Sequence, residues 1–164
     1  MALMASSEET VLPGEGRIGL EAWKDLLTAH AHLTRGLDEE LRERHSFSLG
    51  DFDVLINLAN VPGQRRRMCD LASAVLLSPS GLSRRVDRLE AAGLVQRERA
   101  ASDARIIETG LTADGSRLLR RLQDTHLAGV KQRFVDRFTD AELQTLHELL
   151  ARLTGEDAAS APSC

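Results

Sequence analysis

Several residue types are scarce in this 164-residue sequence, and each scarcity excludes a class of protein. There are two cysteines, Cys69 and Cys164, too few for a disulfide scaffold or a cysteine-rich zinc module. No apolar run approaches the ~20 residues that a membrane-spanning helix needs. Residues 1–16 contain acids and no basic residue, so a secretory signal peptide is not expected. These absences favour one globular domain in the reducing cytoplasm.

The motifs of common enzyme classes are also missing. The sequence has no glycine-rich phosphate loop, no H-E-x-x-H and no G-x-S-x-G. His30 and His32 are two residues apart, a spacing that separates them around a helix instead of pairing them on one metal ion. The sequence therefore predicts no enzyme, no cofactor and no metal site.

Charge is distributed unevenly along the chain, although the net charge is only −4. Between Gln64 and Arg105 there are nine arginines and five acids, a local excess of four positive charges. The remainder holds 12 basic and 20 acidic residues. A basic segment within an acidic protein indicates a surface that binds a polyanion.

Apolar spacing and capping residues predict helices in the first half of the chain. Leucines at three- and four-residue steps indicate a helix over 17–45, after a mobile tail at 1–16. Ser48 can cap a second helix, with Asp51 at its third position, and this helix ends near Asn60. A basic connector, QRRR, precedes a short third helix opened by Cys69. In the fourth helix Ser78 is the N-cap, Pro79 the first residue and Gly93 the stop.

The second half of the chain predicts a hairpin and two more helices. Alternation over 94–99 and 106–111 indicates a two-stranded hairpin. Thr112 caps a helix extending to about Phe138, and T-D-A-E at 139–142 is a capping box for a last helix. Leu143, Leu146, Leu150 and Leu153 form a helix-packing seam on that last helix, and residues 154–164 form a flexible tail.

Four helices, a hairpin and two further helices, in that order along the chain, predict a mainly α protein with a small β-hairpin wing. A winged helix–turn–helix occupies about 48–111 within a single domain at 17–153. The outer helices, about 17–45 and 112–153, carry more apolar surface than one small module can cover. They therefore predict a homodimer.

The fourth helix has the features of a helix that reads the DNA major groove. Small polar groups in its first turns allow close approach, and Arg84 follows them. Arg88 suits phosphate better than a base, and Arg97, Arg99 and Arg105 flank the hairpin loop. The residues predicted to contact DNA are Arg65, Arg66, Arg67, Ser78, Ser80, Gly81, Ser83, Arg84, Arg85, Arg88, Arg97, Arg99, Asp103 and Arg105.

Residues 78–115, SPSGLSRRVDRLEAAGLVQRERAASDARIIETGLTADG, resemble the core of the MarR (multiple-antibiotic-resistance regulator) family. The shared features are the S-x-x-S-R helix, the D-R-L-E-x-x-G-L-V exit, the D-x-R wing and the L-T-x-x-G entry. The resemblance extends over about residues 17–153. It implies a homodimer that binds a pseudo-palindromic operator, usually a repressor relieved by an aromatic acid-like ligand or thiol oxidation. It also implies that Ser80, Ser83 and Arg84 face the major groove and that Asp103 and Arg105 pair in the wing.

Cys69 departs from the family pattern, which usually has Ser or Thr at that position. A thiol at a helix N-terminus beside Arg65, Arg66 and Arg67 can become reactive, which makes Cys69 a redox candidate. The alternative, a small semi-buried residue filling the position, is favoured because free cysteines are usually inert and buried.

The scarce aromatic residues suggest a site for a small-molecule effector. Trp23, His30, Phe47 and Phe52 fall on the first helix and near the start of the second. Together they could hold an aromatic carboxylate, although core packing is the favoured alternative for each. Two other functions remain open: a constitutive DNA-binding regulator without a ligand, and a winged-helix protein-interaction module without specific DNA binding.

Overall fold

A computed structural model describes residues 16–75, 79–100 and 105–154. The described part is mainly helical with a small antiparallel sheet, as the sequence predicted. The helices are α1 (Gly16–His45), α2 (Leu49–Ala59), α3 (Met68–Ala74), α4 (Pro79–Ala91), α5 (Ala113–Arg133) and α6 (Asp140–Thr154); the strands are β1 (Arg65–Arg67), β2 (Val95–Arg99) and β3 (Ile107–Leu111). The predicted cap Ser78, the wing residue Asp103, most of both predicted tails and Cys164 lie outside the described residues.

The predicted helix caps are present at three helix starts. The side chain of Ser48 accepts a hydrogen bond from the Asp51 amide, and the Asp51 carboxylate accepts one from the Ser48 amide. Thr112 Oγ1 accepts from the Gly115 amide at 3.0 Å. The Thr139 amide donates to the Glu142 carboxylate at 2.8 Å. Each cap satisfies amides that the first helical turn leaves without a partner, so it specifies where the helix begins.

The sheet has three strands instead of the predicted two, in the order β1-β3-β2. The basic segment described as a connector is a strand at Arg65–Arg67, antiparallel to β3. Three consecutive arginines show no alternation of apolar and polar residues, so their pairing is decided by the edge of β3 and not by local pattern. Gly110 of β3 faces Arg65, whose side chain crosses it closely.

Two helix boundaries differ from the predictions. Helix α5 ends at Arg133, not near Phe138, and a 3₁₀ turn follows at Val135–Arg137. The rings of Phe134 and Phe138 pack edge to face, 5.4 Å between centroids, across this turn. Helix α3 begins at Met68, so Cys69 is its second residue and not the capping position.

The hydrophobic core lies between α2, α3, α4, the sheet and the first half of α5. Its fully buried members include Leu41, Leu55, Leu58, Leu71, Leu82, Leu89 and Leu122. Only the C-terminal half of α1 joins it, through Leu37 and Leu41. Among the helices the structure describes, none is long and apolar enough to cross a membrane.

Candidate DNA-binding surface

Helix α4 divides into a buried stripe and an exposed face. Leu82, Val86 and Leu89 are fully buried. Ser80, Arg84 and Arg88 recur every four residues, are exposed, and therefore share the opposite face. Gly81 and Ser83, which are half-buried, lie beside this face. The exposed face thus combines small polar residues with two arginines.

Arg85 and Arg88 both contact a buried carboxylate on α2. Arg85 Nη1 donates to Asp51 Oδ1 at 3.1 Å and to Ser48 Oγ at 2.8 Å. Arg88 Nη2 also pairs with Asp51 Oδ1. The Arg85 guanidinium lies directly against Gly50, where a Cβ would be 2.7 Å from it. Arg85, predicted to contact DNA, is therefore engaged within the protein and joins α4 to the start of α2.

Arg97 joins the wing to α4. Its guanidinium donates to Asp87 Oδ1 and Glu90 Oε2, both at 2.6 Å, and its amide donates to Glu90 Oε1 at 2.8 Å. Burial alone lowers the pKa of Arg97, but the hydrogen bonds to Asp87 and Glu90 raise it above its usual value. Arg97, also predicted to contact DNA, therefore has its charge balanced by two carboxylates of α4.

The arginines of β1 occupy three different environments. Arg65 crosses Gly110 and pairs with Glu98 on β2, a contact that raises the pKa of the Arg65 guanidinium. Arg66 is half-buried, and within the described residues its Nε is buried without a hydrogen-bond partner. Arg67 is half-buried at the start of α3. β1, which carries these side chains, is an edge strand of the sheet.

The base of the wing carries two exposed arginines. Arg99 ends β2, and Arg105 comes two residues before β3 begins. The amide of Ala100 donates to the Ile106 carbonyl at 2.9 Å, which closes the hairpin between them. Arg99 and Arg105 therefore lie at the same end of the hairpin, at the base of its loop.

Cys69 is half-buried beside a shallow apolar cavity. Its Sγ lies 3.8 Å from Asp70 Oδ1. The cavity, of about 390 Å³, is lined by Arg67, Met68, Cys69, Ile106 and Ile107. The thiol is therefore partly accessible and contacts the carboxylate of Asp70, and Arg67 lines the same cavity.

The four residues predicted to hold an effector are not brought together within one chain. Trp23 and His30 are exposed on the N-terminal half of α1. About 33 Å of helix separates Trp23 from His45, at the α-helical rise of ~1.5 Å per residue. Phe52 is buried and stacks on His126, 4.5 Å between ring centroids. Periodicity placed these residues on helix faces, but it carries no information on the distance between the two groups.

Phe47 lines a different cavity, of about 280 Å³. Its walls also include Ala92, Leu94, Asp114, Arg117, Leu118 and Arg121. Apolar side chains are thus close to two arginines of α5. Sequence patterns did not reveal this grouping, because the residues come from three separated segments.

The sequence did not predict which acidic residues pair with the arginines of this surface. Asp51 was recognised only as part of a helix cap, and Asp87 and Glu90 were not assigned a role. Asp87 and Glu90 lie three residues apart in D-R-L-E and so share a helix face, but their partner Arg97 is on another element. Within the part of the chain that the structure describes, no three metal-ligating side chains are grouped to hold a metal ion.

A helix–turn–helix with a basic exposed second helix, followed by a sheet whose loop is flanked by arginines, defines a winged-helix DNA-binding regulator. Comparison with known proteins agrees. The MarR family model matches residues 45–106. AbsC, a MarR family transcriptional regulator from Streptomyces coelicolor, is 31% identical with a TM-score of 0.78, over 88% of this chain and 97% of that one.

Two further relatives extend the comparison. The structure of Sco3205, a MarR family regulator from Streptomyces coelicolor in complex with DNA, is 31% identical with a TM-score of 0.77, over 90% of this chain and 91% of that one. The regulator PecS of Dickeya dadantii is 29% identical over 128 residues, 74% of this chain and 72% of PecS. The chain belongs to the MarR family. It is a DNA-binding transcriptional regulator and not an enzyme.

Proposed function

We propose that the protein is a homodimeric repressor of a pseudo-palindromic operator, relieved by a small anionic ligand or by thiol oxidation. The observation that carries the proposal is the exposed face of α4, where Ser80, Arg84 and Arg88 are aligned opposite a fully buried stripe. In a dimer, two such helices occupy successive major grooves about one DNA turn, ~34 Å, apart.

The roles of the basic residues differ in this proposal. Arg84 reads a base edge, and Ser80, Gly81 and Ser83 allow the backbone to approach the groove. Arg88, Arg99 and Arg105 contact phosphate or enter the adjacent minor groove. Arg85 and Arg97 support the surface from within, because their guanidiniums pair with carboxylates of the same chain and their side chains are only 26% and 24% exposed.

The homodimer is supported by apolar residues left exposed at both ends of the described chain. Ile18 is 72% exposed, Trp23 57% and Leu153 71%. A groove of about 420 Å³ on α6 is lined by Phe138, Ala141, Glu142, Thr145, Leu146 and Leu149. Exposed apolar area of this extent indicates an interaction surface. A second copy of the chain fits it, because α1 and α6 can cover one another about a two-fold axis.

The effector site is proposed at the cavity beside Phe47. Phe47, Leu94 and Leu118 supply apolar contact, and Arg121 supplies positive charge. Arg117 lines the same wall but is paired with Asp114. A ligand of matching chemistry has an apolar body and a carboxylate. The cavity adjoins the start of α2, the end of α4 and the start of α5, so an occupant can change how α4 is held relative to the dimer helices.

The test is selection of DNA sites by the purified protein, followed by affinity measurements at several salt concentrations. Arg84→Gln is expected to weaken binding to the selected site about 10- to 100-fold, the loss of a base-reading arginine. Arg120→Gln, which removes an exposed arginine from α5, is the matched control and is expected to leave affinity unchanged. An enriched palindrome with a steep salt dependence supports the repressor.

If no sequence is enriched and Arg84→Gln binds DNA as the wild type does, the specific regulator is wrong and the winged-helix interaction module replaces it. Release of the site by aromatic acids, lost in Arg121→Gln, supports the effector cavity. Release by peroxide, abolished in Cys69→Ser, assigns the switch to the thiol. If neither treatment releases DNA, the protein is a constitutive regulator.

A further inference from the structure

We infer that Asp51 is a positioning residue for DNA binding: from α2 it holds the Arg88 side chain in place to receive a DNA phosphate. The inference rests on the proposed function and adds a residue to its machinery. Asp51 touches no DNA in this account, because its carboxylate is 4% exposed. It acts through Arg88, which carries the contact.

The Asp51 carboxylate is held on both sides. Its Oδ2 accepts hydrogen bonds from the Ser48 amide at 2.9 Å and from Ser48 Oγ at 2.7 Å. Its Oδ1 faces α4 and accepts from Arg85 at 3.1 Å and from Arg88. Because the capping box fixes one oxygen, the other has a fixed position for the two guanidiniums.

The two arginines are held to different degrees. The Arg85 side chain is 26% exposed, lies against Gly50 and also donates to Ser48. The Arg88 side chain is 62% exposed and lies on the same face as Ser80 and Arg84. Arg85 therefore has the geometry of a structural anchor, and Arg88 that of a side chain shared between the protein and a ligand.

Arg88 can hold two anions at once. Its contact with Asp51 uses Nη2, and a guanidinium carries five N–H donors in a planar fork. One carboxylate between two guanidiniums leaves positive charge in excess at the exposed member of the pair. A phosphate oxygen is the anion that a helix on the DNA surface meets there.

The Asp51 carboxylate is ionised at neutral pH. Burial raises its pKa, but the hydrogen bonds from Ser48 and the charge of Arg88 outweigh burial and hold the pKa below its usual value. The neighbouring charged groups are Arg85 and Arg88 on α4, and Asp38 on α1 with its partner Arg42. Asp53, two residues further along α2, is on the opposite side of that helix.

Holding Arg88 before DNA arrives has a physical advantage. A free arginine side chain samples many rotamers and loses that freedom when it binds. A carboxylate that already orders the guanidinium removes part of this cost, so affinity rises without a new protein–DNA contact. The effect of Arg88 on binding must then depend on Asp51, which a purely structural cap does not require.

The test is a double-mutant cycle on affinity for the selected operator, with the full chain carrying Asp51→Asn, Arg88→Gln or both. In the wild-type background Arg88→Gln is expected to weaken binding about 10-fold and to reduce the salt slope by about one. In the Asp51→Asn background the same change is expected to weaken binding only about 3-fold or less. Asp51→Glu, which keeps the charge, is expected to restore part of the difference.

Two controls separate positioning from folding. Arg84→Gln is expected to weaken binding by the same factor with Asp51 or Asn at position 51, because Arg84 does not contact Asp51. Ser48→Ala removes the hydroxyl bond to Asp51 Oδ2 but keeps the bond from the residue 48 amide and the charge pair, so Arg88→Gln is expected to keep most of its effect there. Thermal unfolding of each variant shows whether it is folded at the temperature of the binding assay.

Equal effects of Arg88→Gln in both backgrounds overturn the inference and leave Asp51 as a helix cap only. If Asp51→Asn does not fold, ¹⁵N relaxation of the Arg88 side chain in the wild-type protein decides the matter. An ordered guanidinium before DNA is added supports positioning, and a mobile one overturns it. Failure of the proposed function itself is distinct, because the wild type then selects no operator at all.

Discussion

The two halves of α1 follow the same helical pattern but differ in burial. In the C-terminal half, Leu37 and Leu41 pack into the core against α2 and α5. In the N-terminal half, Ile18, Trp23 and Leu27 are exposed although their spacing is equally regular. Periodicity shows that a face is apolar, but it does not show which molecule covers that face.

The same contrast in burial separates α6 from the DNA-binding segment, which comprises α2, α3 and α4. α2, α3 and α4 each contribute fully buried residues to the core. Of the α6 side chains that the structure describes, none is buried, and Leu149, Leu150 and Leu153 are exposed. The DNA-binding segment thus has a completed core within one chain. The outer helices have the surface of an interface, which supports the proposed dimer.

The largest expected effect is on the completed core. Leu55→Ala removes a fully buried side chain and is expected to lower the free energy of unfolding by about 2–5 kcal/mol, since it leaves a cavity in the hydrophobic core. Chemical denaturation followed by circular dichroism measures this. Glu39→Ala, at an exposed site on α1, is the control and is expected to change stability by less than ~0.5 kcal/mol.

A charge on α6 is expected to act on assembly and not on the single-chain fold. Leu149→Asp places a carboxylate in the apolar groove beside Phe138. We expect the dimer dissociation constant to rise about 100-fold or more, because burying an unpaired charge costs several kcal/mol. Sedimentation equilibrium measures the change, with Glu39→Ala again as control. A variant that stays fully dimeric at low concentration would show that α6 is not part of the interface.

A smaller effect is expected at the junction of the wing and α4. Arg97→Gln removes the contacts with Asp87 and Glu90 and is expected to reduce stability by about 1–2 kcal/mol. DNA affinity is expected to fall with it, since β2 is no longer held to α4. Arg84→Gln should reduce affinity alone. If Arg97→Gln left stability unchanged, Arg97 would not anchor the wing, and its prediction as a DNA contact would be favoured again.

The smallest expected effect is a pH dependence at the contact of α2 with α5. Burial lowers the pKa of His126, although Asp53 opposes this, and Nδ1 of His126 is buried without a partner among the described residues. A lowered pKa means that the unfolded chain binds the proton more readily. Stability is therefore present above the usual histidine value of 6.5 and is lost as the pH falls below it.

We expect a loss of under ~1 kcal/mol between about pH 7.5 and 5.5, reduced in His126→Gln but not in the exposed control His32→Gln. Asp53 has the opposite sign, because burial raises its pKa above the usual 3.8, although His126 and Arg85 lower it. Its contribution to stability is present below pH 3.8 and is lost as the pH rises through its raised pKa. Denaturant midpoints at each pH provide the measurement. An identical profile for His126→Gln and the wild type would assign the pH dependence to other groups.

Helix starts and the α4 stop were predictable because their signals are local. Ser48, Thr112 and Thr139 make the predicted capping contacts within three residues of themselves. Gly93 has φ of +72°, the left-handed conformation that glycine adopts most readily at a helix end. The exposed face of α4 also followed from its period.

The predictions that were wrong or incomplete concern contacts between segments that are distant in the sequence. The strand Arg65–Arg67 pairs with the edge of β3, and α5 ends at Arg133, before the turn across which Phe134 and Phe138 pack. The effector residues were grouped by position on helices, but α1 carries Trp23 far from Phe47. Asp51 was visible as a cap, but its pairing with Arg85 and Arg88 joins residues more than thirty positions apart.

Caps, stops and apolar periods act within a few residues along the chain, so the sequence alone predicted the order of the helices and the hairpin. The linked motifs of residues 78–115 carried the resemblance to the family. Tertiary structure alone decided which arginines support the surface and which are left exposed on it. Arg84 and Arg85 are neighbours with the same side chain, yet one is exposed on the face of α4 and the other lies against Gly50 and Asp51. An ion pair depends on distance in space, and only the folded chain determines that distance.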